Sequence, residues 1–502
     1  MPKVNHTRDE YDSLKPDWEK IRDCIAGERQ VKEKGDEYLP RPNASDTSNE
    51  NKTRFDSYLQ RAVFYNVTGR THKGLIGQVF AKEPAFVLPD LMKTLPDDID
   101  GGGMTLEQQA KKALGHSVAY GRAGILVDFP KNDKATSRAE LMAGKVRPTV
   151  TLFDPWDIIN WREAFVNGKK LLTLIVLSES EVVNDDGFKQ ENEDYYRVLR
   201  LVNGVYYSQV WYWDEELNDF VMEDEVMPLN GAGRPWEFIP FNFIGAENNT
   251  ALPSLPPLKD LADLNIAHYR NSADYEEACF IVGQPTPVFT GLTKEWVDDV
   301  LKGEVQLGSR AAIALPVGGE GKLLQAEENS MSKEAMEMKE EQMKAIGAKL
   351  IEPGTVQKTA TEAGIEEASS TSVLSSCAKC VSAAYTNALK WCAQFLNQAD
   401  TDIYYELNTE FSVGMMSPAA RQQLIAEWQA NAISKEEMRD GLKRAGVAWQ
   451  TMEEFDDAVA EAGIDLGVPV GSAASAAAQA AEDAKKLAAA QPAKPAPGAK
   501  KA

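Results

Sequence analysis

Apolar residues recur every three or four positions at the two ends of the chain and every second position through its middle. That change of period is the first clue to its organisation. After a polar opening, the spacing predicts a helix over residues 11–27 and a turn-rich stretch at Tyr38-Leu-Pro-Arg-Pro. Helical spacing resumes through Phe55, Tyr58, Ala62, Phe64 and Tyr65 and is expected to end near Gly69. A further helix is predicted over 105–120. It feeds Gly121-Arg-Ala-Gly-Ile-Leu-Val-Asp-Phe-Pro, which reads as a short buried strand closed by proline.

From residue 148 to 244 the period is two. Strands are predicted at 149–153, 171–177, 195–202, 205–213, 220–227 and 236–244. Asn203-Gly204 between β-branched and aromatic runs predicts a two-residue hairpin turn, because both turn residues need positive φ. Pro253, Pro256 and Pro257 stop the sheet.

A helix of about 25 residues, near 37 Å long, is expected over 258–282, ended by Pro285 and Pro287. A short mixed region with a strand-like 311–315 follows, then a charged helix over 332–350 with Met336, Met343 and Leu350 on one side. Pro353-Gly354 breaks it. Beyond, Leu374, Ala378, Val381, Tyr385, Ala388, Cys392 and Phe395 form the stripe of a very long helix, expected over 362–398 and near 55 Å. A strand at 402–413 and a helical segment at 417–465 follow. The helical segment carries capping boxes at Ser434–Glu437 and Thr451–Glu454. Residues 470–502 are low-complexity Ala, Lys and Pro and read as disordered. The fold class expected from these elements is α+β, and 502 residues predict three or four folding units.

Composition narrows the function. The net charge is −23, with 77 acidic against 54 basic residues, which disfavours a tight grip on nucleic-acid phosphates. Five cysteines are too few for a disulfide framework, and the longest apolar run, 171–177, is far short of a membrane span. No membrane association is expected, and the chain reads as made in a reducing cytoplasm, with no export signal visible.

Enzyme signatures fail one by one, and no catalytic, cofactor-binding or metal-ligating residue is assigned. Residues 316–323 imitate a phosphate loop, but Pro316 stands where glycine is needed and Leu323 where the magnesium-binding hydroxyl belongs. Cys377-x-x-Cys380 lacks a second ligand pair and falls inside a helical stripe, so buried thiols are expected. The four histidines (His6, His72, His116, His268) match no catalytic motif. Glu337, Glu340 and Glu341 read as a solvated or subunit-facing helix surface. The helical segment 417–465, with ten acidic and five basic residues, has the wrong sign for reading DNA.

The order of elements, together with several stretches, resembles the portal protein family of tailed bacteriophages, over roughly residues 11–465. Arg61-Ala-Val-Phe-Tyr-Asn-Val-Thr-Gly-Arg-Thr is similar to an early wing helix of one portal group. Gly121–Pro130 and Phe153-Asp-Pro-Trp-Asp-Ile-Ile-Asn-Trp follow suit. Asn265-Ile-Ala-His-Tyr-Arg-Asn-Ser-Ala-Asp-Tyr-Glu-Glu, followed by Gly283-Gln-Pro-Thr-Pro-Val, looks like a stem helix entering a clip, and Ile433-Ser-Lys-Glu-Glu is similar to a helical crown.

The resemblance implies a portal-type fold: wing over 1–252 (β-rich from 148), stem helix 253–283, clip 284–330 and second stem helix 331–350. A tunnel loop at 351–361, a long wing helix and strand at 362–416, a crown at 417–469 and the tail at 470–502 complete it. It implies a ring of about twelve subunits at the special vertex of the capsid. Such a ring conducts double-stranded DNA during packaging and ejection, and is assembled in the bacterial host cytoplasm. Expected partners are the terminase large subunit, head–tail adaptor or neck proteins, scaffold and the major capsid protein, with no cofactor. Lys349, Gln357 and Lys358 are the candidate DNA-channel contacts. An acidic lumen would let DNA slide, since it offers phosphates little purchase. Two alternatives stay open: an enzyme acting through carboxylates distant in sequence, and another virion protein of the neck or capsid.

Overall fold

The computed structural model describes residues 3–128, 147–166, 168–283, 286–299, 315–324, 330–351, 372–409, 411, 418–430 and 432–444. The chain divides into two compact units, residues 1–409 and 410–502. The first mixes helices with antiparallel sheets, as an α+β reading expects.

Its helical layer starts with α1 (Asp9–Ala26), α2 (Glu28–Glu33), α3 (Asn49–Arg61) and α4 (Val67–Val79). A short strand, β1 (Ala85–Val87), precedes α5 (Leu106–Tyr120). Thr105 and Gln108 close a capping box at the start of α5, and Gly121 ends the helix in the left-handed region at φ 64°. The chain then enters β2 (Arg122–Asp128), whose residues are buried up to Val127. That strand is central in a three-stranded sheet, flanked by β3 (Thr149–Phe153) and β9 (Phe241–Gly245). Burial on both faces explains why its sequence is a continuous apolar run rather than an alternating one.

The second sheet is an antiparallel meander of five strands: β4 (Ile158–Val166), β5 (Lys169–Asp185), β6 (Gln190–Val202), β7 (Val205–Asp214) and β8 (Asp219–Val226). The expected turn between β6 and β7 is present, with Asn203 at φ 51° and Gly204 at φ 75°.

After α6 (Lys259–Gly283), β10 (Thr286–Thr290), α7 (Lys294–Asp299), β11 (Glu320–Leu324) and α8 (Met331–Lys349), the chain returns to the three-stranded sheet through α9 (Val373–Phe395). Leu374, Ala378, Val381, Tyr385, Ala388 and Cys392 of its expected stripe are buried. Polar groups lock α9 in place. Tyr385 Oη donates to Gln109 Oε1 (3.0 Å), whose Nε2 donates to the Val150 carbonyl (2.8 Å). Asn249 Nδ2 reaches the Cys380 carbonyl at 2.8 Å. The last strand of this unit, β12 (Tyr404–Glu406), pairs with β1.

Four expectations need correction. The apolar spacing from Phe55 to Gly69 is not one helix: α3 stops at Arg61, Ala62 turns to ψ 138°, and Gly69 lies inside α4. The break is held by side chains of α6, with Ser272 Oγ accepting from Val63 N (3.0 Å) and donating to its carbonyl (2.6 Å). The very long helix expected over 362–398 is interrupted at Ser372: the described helix runs Val373–Phe395, and residues 362–371 lie outside the described residues. Ser372 is extended there and its hydroxyl accepts from Ser375 N, which makes it a helix cap. The 23-residue helix is thus about 35 Å long. Of the strand expected over 236–244 only the end becomes strand, in β9 (Phe241–Gly245), while Trp236 is buried in the loop before it with its carbonyl accepting from Tyr206 N (2.9 Å). The strand expected over 402–413 shortens to three residues, as long as its partner β1.

The second unit contributes α10 (Pro418–Gln429) and α11 (Lys435–Arg444). Ser434 N donates to Glu437 Oε2 (2.7 Å) and Glu437 N to Ser434 Oγ (3.1 Å), which is the expected capping box. The Thr451–Glu454 box, residues 311–314 and the tail after 470 lie outside the described residues.

Candidate functional site

Two long helices, α6 and α8, lie side by side, and the segment between them contains an antiparallel pair of strands, β10 and β11. The apolar residues of α6 explain where it sits: Leu261, Ala262, Ile266, Tyr269 and Ala273 are buried in the layer formed with α1, α3 and α4. Ion pairs fix it along its length. Lys259 reaches Asp17 and Asp263 receives Lys20, both at 2.6 Å. Tyr58 Oη donates to Asp274 (2.6 Å), and Arg61 pairs with Glu277 while its guanidinium stacks over Phe280. At its C-terminal end, Cys279, Phe280 and Ile281 are exposed.

Helix α8 turns Met343 and Leu350 inward, both buried, with Met336 half-buried on the same side. One expectation for its acidic residues changes. Glu337 and Glu341 are exposed, but Glu340 reaches back to α6, its Oε1 3.5 Å from Nε2 of His268. His268 is only 2% exposed, and burial pushes its pKa below the ordinary histidine value, against the pull of Glu340. The sequence carried a signal for this pair, a histidine on the apolar face of one helix and an acid on the other, but nothing to bring them together.

Between the two helices runs an open groove of about 560 Å³. Leu264, Ala267, Ala345 and Ile346 form its apolar floor, with Asp260 and Asp263 on the α6 wall. Lys349 lines the end of this groove, exposed in the last turn of α8. Gln357 and Lys358 lie outside the described residues.

The glycine-rich 316–323 segment resolves into a turn and a strand. Gly319 N donates to the Pro316 carbonyl (2.8 Å), Gly318 sits at φ 91°, and Gly321 pairs with Phe289 within β11. Lys322 pairs with Glu320 at 3.4 Å. Cys377 and Cys380 are buried, and burial raises their thiols to about 12 and about 11. Among the described residues no group of three His, Cys, Asp or Glu could hold a metal, and no helix is long and apolar enough to cross a membrane.

Carboxylates distant in sequence do converge elsewhere. A cleft of about 510 Å³ between the two sheets is lined by Asp128, Asp157, Glu179, Asp194 and Arg197. Arg197 holds Glu179 (2.8 and 2.9 Å) and Asp128 (2.9 Å), and Tyr195 donates to Glu179. Asp154, next to the cleft, is paired with His116 (2.9 Å) and Lys112 (3.3 Å). Among the described residues Asp157 has no such ion-paired cation, and burial, helped by the Asp154 charge, raises its carboxyl to about 6. Sequence reading missed this group, because its members come from β2, β5, β6 and the turn before β4.

A family described as "Domain of unknown function (DUF4055)" matches residues 257–396, the span from just before α6 to the end of α9. No curated protein matches the chain. Among solved structures, a chain of the virion of a native gene transfer agent particle is similar at 15% identity, covering 77% of this chain and 92% of that one with a TM-score of 0.39. A chain from the neck of the native particle, computed with C12 symmetry, is 14% identical over 77% of this chain and 92% of its own (TM-score 0.37). One from the neck of the empty particle, computed with C6 symmetry, is 13% identical over 78% and 93% (TM-score 0.37).

Proposed function

We propose that this chain is a portal subunit: a non-enzymatic structural protein that closes into a ring at the special vertex of a phage-type capsid. The ring conducts double-stranded DNA and is the docking site for the packaging motor and neck proteins. One observation carries the reading. Two long helices lie against each other, and the chain between them holds a small antiparallel β unit. This arrangement supports a stem–clip–stem reading, with α6 and α8 as the stem and 284–330 as the clip. The helix after the second stem then returns to the α+β body, as a wing helix would. The net charge of −23 supports a conduit rather than a clamp, since a channel must let its cargo slide. Lys349 is the described member of the proposed channel contacts, with Gln357 and Lys358 following it in sequence.

Negative-stain imaging with native mass measurement of the purified chain tests the reading. Closed rings with a channel wide enough for duplex DNA are the expected result, and a monomer at every salt concentration would overturn it.

The enzyme reading has one feature in its favour, the Asp157 carboxyl, raised toward the range of a general acid in a cleft shared with three other carboxylates. Two of those three, Asp128 and Glu179, are already neutralised by Arg197, which fits a structural network better than a reacting pair.

A further inference from the structure

Arg122 opens β2 and lies in the seam between the two sheets, where it is only 1% exposed. Its guanidinium stacks against Phe243 of β9 (3.6 Å to the ring centre) and Trp161 of β4 (4.6 Å). Nη1 donates to the Thr250 carbonyl at 3.2 Å, while Nε and Nη2 are buried with no hydrogen-bond partner among the described residues. Trp161 is equally buried, and its Nε1 is a further donor without an acceptor.

Two carboxylates are near enough to act on Arg122, Glu10 and Glu163, and both are already taken. Arg8 grips Glu10 with two hydrogen bonds (2.7 and 2.8 Å), and Lys170 holds Glu163 at 2.6 Å. Burial disfavours the charged guanidinium, and the like charge of Arg8 adds to the penalty. An arginine does not escape by giving up its proton. The two ring faces offset part of the cost, but a buried cation ordinarily takes an anion, and buried N–H groups take acceptors.

We infer that Arg122 and Trp161 bind a small inorganic anion of the chloride class, which neutralises the guanidinium and accepts from the donors that the chain leaves unmatched. One positive charge and three N–H groups suit a single-charge ion that only accepts. Phosphate or sulfate would bring more charge and more oxygens than these donors satisfy. Trp161 links the seam to the outside, since it also lines an open cavity of about 390 Å³ with His6, Arg8, Glu10, Asn160 and Arg162. The inference does not depend on the portal reading.

Bromide, which scatters anomalously, is the structural probe. Crystals of the full chain grown in sodium bromide should show an anomalous peak in contact with the Arg122 guanidinium and Trp161 Nε1. In solution, thermal midpoints are measured as chloride replaces gluconate at constant ionic strength. The wild-type midpoint should climb by roughly 2–4 °C for each tenfold rise in chloride above the dissociation constant. Arg122→Met should abolish the climb, and if that variant does not fold, the bromide peak in the wild type decides. A wild type with no peak at Arg122, or a chloride response that survives Arg122→Met, would overturn the site. A peak without any chloride response would mean binding at crystal concentration only, and would overturn it too.

Discussion

Asn265 holds Thr68 through a single atom: its Oδ1 accepts from the Thr68 backbone amide at 3.1 Å and from the Thr68 hydroxyl at 2.9 Å. The same oxygen takes the Val67 amide (3.2 Å), and Asn265 Nδ2 donates to the Tyr65 carbonyl (2.9 Å). Both side chains are fully buried. A carboxamide from α6 therefore supplies the partners that the backbone loses where α3 and α4 part. Such buried groups must be satisfied or the break cannot persist.

Replacing Asn265 by Ala removes an acceptor for three donors and a donor for one carbonyl. It is expected to destabilise the protein by roughly 2–4 kcal/mol. Urea unfolding followed by tryptophan fluorescence would measure it, and a loss below a few tenths of a kcal/mol would mean that the break is held by other contacts.

Gly121 ends α5 at φ 64°, and a Cβ there would lie 2.7 Å from the Ser254 carbonyl oxygen and 2.9 Å from that of Leu255. The left-handed backbone and a clash with main chain that cannot rotate away predict a cost of roughly 2–4 kcal/mol for Gly121→Ala. An unchanged thermal midpoint would contradict it.

Asp157 should make the protein lose stability as the pH rises. Its folded carboxyl titrates near 6 against an ordinary 3.8, so between about pH 4 and 6 the folded state binds more protons than the unfolded one. Stability from this group is complete below pH 4 and lost as pH passes 6. Asp157→Asn should then stabilise the chain by of order 1 kcal/mol at pH 7.5, an amount discounted for partial solvent exposure, and do little at pH 4. Unfolding midpoints at the two pH values decide.

His268 acts in the opposite sense. Its folded value lies below the ordinary 6.5, so the unfolded state binds the extra proton first, and stability falls as the pH drops below about 6.5. Protonation would also place a charge in the α6–α8 contact. His268→Leu is expected to flatten the decline in thermal midpoint between pH 7 and pH 5, and an identical slope in the variant would rule the histidine out.

Thiol accessibility offers a separate check. Cys279 is exposed, while Cys24, Cys377, Cys380 and Cys392 are buried. A thiol reagent should therefore modify one cysteine quickly, and the other four only on denaturation. Fast modification of Cys377 or Cys380 would mean that α9 does not pack on the sheet as described.

Period and punctuation determined much of this protein directly from sequence. The Asn203-Gly204 hairpin, the capping box at Ser434 and the extents of α6 and α8 are local matters: turn residues need positive φ, caps need a side-chain acceptor, and a helix facing a core repeats its apolar residues every three to four positions. Interruptions to that periodicity were another matter. Phe55 to Gly69 keeps helical spacing across a real break, because Asn265 and Ser272, some 200 residues away in sequence, supply its hydrogen bonds. The unbroken run expected for the long helix from 362 is interrupted for a local reason, the cap formed by Ser372, which the apolar stripe did not register. The gathering of Asp128, Asp157, Glu179 and Arg197, the approach of Glu340 to His268 and the groove between α6 and α8 were decided by tertiary structure alone. Each depends on which strands and helices become neighbours, and charge or burial at such a meeting is a property of the pair that neither segment's sequence contains.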